Sequence, residues 1–244
     1  MKSFTAYIKA VAAILVIALT LTISGCRADG KSSDEQKAEG MMRTVCTKDG
    51  VDEFMEAWGD PELTGLNSGY AFNAEHCFNV TPARVYELTG VRVFKFSDCC
   101  DSFAFADGKI CQICSSFGGF GFLDAVPWDH DGDGEYDLIV TSSWGSGIHR
   151  AELSFFDVKK MESTVIATSL DFEASPDNCD WWLDTPTPSW SGAPYEPAIT
   201  VYSVTEIMPV NGNLADLAFS VTEQIGWISF ESGTPELREM ISRN

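Results

Sequence analysis

The stretch that decides the fold runs Asp137-Leu-Ile-Val-Thr-Ser-Ser143, then Trp144-Gly-Ser-Gly-Ile-His149-Arg150, then Ala151-Glu-Leu-Ser-Phe-Phe-Asp157. Its flanks are runs of β-branched and aromatic residues, and its middle is rich in glycine. It therefore reads as two antiparallel strands about a turn. The same grammar recurs upstream, where Phe103-Ala-Phe105-Ala and Lys109-Ile-Cys-Gln-Ile alternate on either side of Asp107-Gly108. Asp-Gly is a strong hairpin signal because both central residues of a type I′ turn take positive φ. Working outward, strands are expected near 91–97, 102–106, 109–115, 137–143, 150–157, 163–169, 198–206, 214–222 and 225–231. Helices are expected only near the ends. Asp49 would cap a helix over 50–58 with Val51, Phe54, Met55 and Trp58 on one face and Gly59 as its stop. Thr81-Pro82 starts a second, ending before Gly90. Thr234-Pro235 opens a third, with Leu237 and Ile241 turned inward. The expected fold class is α+β, mostly antiparallel β-sheet with short helices at the N- and C-terminal ends.

The chain has 244 residues, 45% of them hydrophobic, which suits a globular body with a real core and argues against disorder. Sixteen basic residues face thirty-six acidic ones, for a net charge of −20. Nucleic acid is excluded as an expected partner, because neutralising phosphates needs a clustered basic surface. Three histidines leave little material for a multi-histidine metal site.

The first residues carry an address. Lys2 and Lys9 precede fourteen uncharged residues, Ala10 to Ile23. As a helix these would span about 21 Å, too short for a bilayer core of roughly 30 Å and the length of a signal-peptide core. They run into Ile23-Ser24-Gly25-Cys26, which resembles the lipobox of bacterial lipoproteins. That resemblance implies cleavage after Gly25 and lipidation of Cys26, with two acyl chains anchoring firmly where one holds marginally. Arg27, rather than an acidic residue, follows the cysteine. In a two-membrane envelope the resemblance then points to the outer membrane, and with one membrane the domain faces outside. Residues 26–43, polar and without apolar period, read as the lipidated cysteine and a flexible tether. Residues 44–244 are the expected globular domain.

Residues 129–137 read Asp-His-Asp-Gly-Asp-Gly-Glu-Tyr-Asp. Asp129, Asp131, Asp133 and Asp137 fall at positions 1, 3, 5 and 9, with Gly134 at 6. Carboxylates so crowded repel one another unless a cation neutralises them, and their hard oxygens suit Ca²⁺. The Glu135 carbonyl would add another oxygen. Position 12, where an EF-hand places glutamate, is Val140, and a strand follows instead of a helix. A calcium loop leading straight into a strand resembles the FG-GAP/VCBS loop of integrin-like propellers, over about thirty residues. It occurs once, so the resemblance implies the loop and its ion, not a propeller.

Seven cysteines remain after Cys26: Cys46, Cys77, Cys99, Cys100, Cys111, Cys114 and Cys179. An odd count leaves at least one thiol outside any internal disulfide. Cys99, Cys100, Cys111 and Cys114 would suffice for tetrahedral zinc, and Cys111-x-x-Cys114 has redox spacing. The preferred reading is buried small side chains or one or two disulfides. Ser146 and His149 sit in a turn without the Gly-x-Ser-x-Gly pattern or a following helix, so Ser146 is read as a turn residue and His149 as a partner of the acidic loop or a packed imidazole.

Residues 171–197, rich in proline, acids and tryptophan, read as a long insertion in which Ser175-Pro176-Asp177 could cap one helical turn. Trp181, Trp182 and Trp190 either pack down as a lid, the favoured reading, or form a ligand-facing surface. The expected function is a membrane-anchored lipoprotein with a structural calcium, acting as a noncatalytic binding or envelope-assembly module for a protein or wall polymer. The alternative is a calcium-supported hydrolase of wall glycan or peptide, using acids such as Asp180 and Asp184.

Overall fold

The Asp107-Gly108 hairpin forms as read. In the computed structural model β4 (Ser102–Ala106) and β5 (Lys109–Gln112) pair with Ala106 opposite Lys109, and the turn residues have φ of 50° and 73°. The structure describes residues 33–59, 73–98, 101–114, 118–129, 133–145, 149–171, 179–185, 199–231 and 233–239. The chain divides into two units, 1–37 and 38–244. Within the first, a five-residue helix α1 (Ser33–Lys37) is described.

The second unit stacks three antiparallel sheets. The first is ordered β2 (Cys77–Asn79), β3 (Arg92–Phe96), β4, β5. The second is the meander β6 (Gly121–Trp128), β7 (Asp137–Trp144), β8 (Arg150–Asp157), β9 (Glu162–Thr168). The third is ordered β1 (Met42–Arg43), β12 (Asn213–Ser229), β11 (Ile199–Val210), β10 (Asp180–Asp184), and β13 (Glu236–Glu239) also pairs with β12.

Side-chain alternation places each layer. Helix α2 (Val51–Trp58) covers the outer face of the first sheet, where Phe54 stacks on Phe94 at 4.3 Å and Trp58 meets Phe103 edge-on at 4.6 Å. The opposite face, with Val93 and Ala104, packs on Leu138, Val140 and Phe156 of the second sheet. Ile139 and Leu153 point the other way, onto Trp181, Leu183 and Val201 of the third. The middle sheet is thus covered on both sides, which explains why Leu138–Ser143 is buried without interruption. Helix α3 (Ala83–Thr89) starts after Pro82 and stops at Gly90, as its sequence predicts. It inserts Val85 into the core between the first two sheets.

Several expectations are corrected. The described residues after Pro235 form no helix: Glu236–Glu239 is a strand, because Gly226 lacks the Cβ that would meet the Arg238 carbonyl oxygen at 2.3 Å. Ile241 lies outside the described residues. Among the described residues the helices therefore lie in the N-terminal part of the chain. Strands read separately at 214–222 and 225–231 are one long strand, bent by bulges against β11. Helix α2 is preceded by Gly50 at φ 74° without a side-chain cap, so Asp49 does not serve as one. The compact unit begins at Ala38, inside the span expected to be tether, and Ala38 is buried with Val210 and Ala218. Met42–Arg43 then pairs with β12, and Arg43 forms an ion pair with Asp216.

Candidate functional site

The acidic loop joins β6 to β7 at one end of the middle sheet. Asp129 Oδ2 accepts the Gly134 N–H at 3.0 Å, tying the first position of the loop to its sixth. Asp133 Oδ1 accepts the Glu135 N–H at 2.8 Å. Gly134 has φ 86° and open space where a Cβ would stand, so glycine is required here by backbone conformation rather than crowding. Asp137 Oδ1 accepts the Val158 N–H at 3.0 Å, which joins the loop to the turn after β8. Asp131 and His130 lie outside the described residues.

The β7–β8 register, Leu138 opposite Phe156, brings two residues that the sequence reading missed to this loop. Asp157 and Lys159 line one pocket with Asp133, Glu135 and Asp137, bounded on the far side by Leu88 and Thr89 of α3. Lys159 forms an ion pair with Glu135 and stands 4.0 Å from Asp133 Oδ2. Burial acts to raise the Asp157 carboxyl, but the Lys160 ammonium at 2.6 Å and the Lys160 N–H hold it below the ordinary range. Equal eight-residue flanks around 145–149 were the sequence signal that could have found both.

The donor chemistry fits Ca²⁺, since the acidic side chains of the loop offer hard carboxylate oxygens and Asp129 already closes the loop on Gly134. Among the described residues, no group of three or more His, Cys, Asp or Glu is drawn together around one point. Asp129, Asp133, Asp137 and the Glu135 carbonyl would hold the ion, with Asp131 as the remaining ligand implied by the loop pattern.

The other sequence candidates are dispersed. Trp181 is fully buried between the second and third sheets, so it is withdrawn from any ligand-facing surface and agrees with the packed-down reading. Trp182 is half-buried on the opposite side of β10, 5.1 Å from the Phe219 ring. The pair rides on a strand that the proline-rich context concealed, while Trp190 and 175–177 lie outside the described residues. Asp180 is buried beneath His149, whose Nδ1 is 3.9 Å from Oδ2. Burial pushes its carboxyl up against the opposing pull of the Ser143 hydroxyl, His149 and the buried Lys95. Asp184 is exposed four residues along the same strand, about 13 Å away, beyond the separation that paired glycosidase carboxylates use. Ser146 lies outside the described residues.

Cys111 lies half-buried near the end of β5, and burial together with Glu162 raises its thiol, the reverse of what a redox nucleophile needs. The strand ends between Cys111 and Cys114, and both reach the core between the first two sheets. Cys99 and Cys100 lie outside the described residues. Cys77 is buried beside α2, and desolvation pushes its thiol up to about 12. No described helix is long and apolar enough to cross a membrane. Comparison with protein-family models, curated proteins and solved structures found no match for this chain.

Proposed function

We propose that this is a lipid-anchored bacterial envelope protein whose β-rich domain is braced by a calcium ion at residues 129–137. It works as a binding or assembly module rather than as an enzyme. The observation that carries the reading is the closure of the loop on itself, Asp129 Oδ2 on the Gly134 N–H, with Asp133, Glu135, Asp137 and Asp157 spread along one pocket wall and Lys159 paired to Glu135. Calcium there would neutralise the repulsion and tie the β6–β7 connection to the turn after β8. The anchor is the modified Cys26, inferred from the residues before it. The binding reading is preferred to hydrolysis because Asp180 is buried and Asp184 stands far from it on the same strand.

Two experiments test the two halves. Thermal melting in millimolar calcium should exceed that in EDTA by about 5–10 °C, the shift expected when ligand stands near a hundredfold over its Kd. Equal melting in both would remove the calcium brace. Labelling with radioactive palmitate should mark the full chain and spare the Cys26→Ala variant; label in both, or in neither, would remove the anchor.

A further inference from the structure

Asp124 is an acid in the midst of an apolar strand, and three elements converge on it. A bulge between Phe122 and Asp124 shifts the register of β6 here. The carboxylate is 2% exposed. From α3, Arg84 Nη2 donates to Oδ2 at 3.1 Å, with its own side chain one-third exposed. From β10, the free edge of the third sheet, the Leu183 N–H donates to the same carboxylate, as does the Ala125 N–H of β6. The charged groups that act on it are Arg84 from α3, which favours the anion, and Asp184 from β10, which opposes it. Its own carbonyl accepts the Thr141 hydroxyl of β7 at 3.5 Å.

We propose that the Arg84–Asp124–Asp184 junction is an acid-tightened clasp: proton uptake on Asp124 strengthens the packing of α3 and β10 over β6, and proton loss loosens it. Among the described residues, a single, partly solvated arginine is the cation set against a carboxylate sealed from water. Burial outweighs that arginine and brings the group up to about 7. Opening the clasp returns the carboxyl to water, where it titrates near 3.9. The closed form therefore holds the proton more tightly, and acid favours closure. The consequence reaches the acidic loop, because Leu88 and Thr89 at the end of α3 line the same pocket. None of the clasp residues belongs to the loop 129–137.

Hydrogen–deuterium exchange of the full chain tests it, after correction for intrinsic exchange rates. Peptides covering 83–89 and 180–184 should be about tenfold more protected at pH 6 than at pH 8.5. Asp124→Asn should hold both peptides at the protected level at both values. Arg84→Gln, which leaves the anion without its cation, should steepen the difference. A flat wild-type profile overturns the proposal. So does an Asp124→Asn variant that keeps the wild-type slope, which would assign the effect to another group. If Asp124→Asn fails to fold, an Arg84→Gln profile no steeper than wild type overturns it as well.

Discussion

Replacing Trp181 with alanine separates a structural tryptophan from a ligand-binding one. The indole is fully buried between Ile139 and Leu153 of the middle sheet and the strands of the third. Truncation removes the transfer energy of a large aromatic side chain and leaves a cavity that two flat sheets close poorly. The expected loss is about 3–5 kcal/mol, a large part of the 5–15 kcal/mol of a typical domain. For a body of this size, each kcal/mol moves the melting point by roughly 2–4 °C, so a fall of about 10 °C or more is expected. Trp182→Ala is the control, because that ring is half-buried against Phe219 and should lose roughly 1–2 kcal/mol. Far-UV circular dichroism melts of both variants give the comparison without relying on tryptophan emission. A Trp181 variant that melts within about 3 °C of wild type would refute the three-layer packing.

Two further outcomes follow from the same geometry. Gly119→Ala places a Cβ 2.5 Å from the Ser143 carbonyl oxygen and the Trp144 Cα, at φ 70°, whereas Gly108→Ala meets open space at φ 73°. Urea titration should therefore show a loss above about 2 kcal/mol for Gly119 and about 1 kcal/mol for Gly108. Burial raises both Asp180 and the half-buried Glu152, so the stability each contributes is greatest in acid and is lost as pH rises through its folded-state value. Asp180→Asn should flatten the dependence of unfolding free energy on pH above the ordinary aspartate value of about 3.9, and an unchanged slope would show that this carboxyl does not titrate in the fold.

The local signals legible in the sequence were those that a few consecutive residues dictate. Asp107-Gly108 set a turn, Gly90 stopped α3, and the runs 137–143 and 150–157 became the two central strands of the middle sheet. What escaped the reading was decided by distant partners. Strand β6 contains Asp124 and Pro127, which break a strand pattern. Pro127 is tolerated because β6 is an edge strand, and Asp124 because Arg84 reaches it from forty residues away. Strand β10 is five residues long amid prolines, and it exists because β11 offers it an edge. The segment after Pro235 had a helical start signal, yet Gly226 on β12 opened room for sheet pairing instead. At the acidic loop the ligand spacing was legible, but Lys159 and Asp157 became its neighbours only through the β7–β8 register.

The calcium brace is tested most directly by native mass spectrometry of the EDTA-stripped full chain after return to calcium-containing buffer. One calcium bound per chain is expected, and it should be lost when Asp129 and Asp133 are both replaced by asparagine. A wild-type chain that stays free of metal, or a double variant that still carries the ion, would contradict the account.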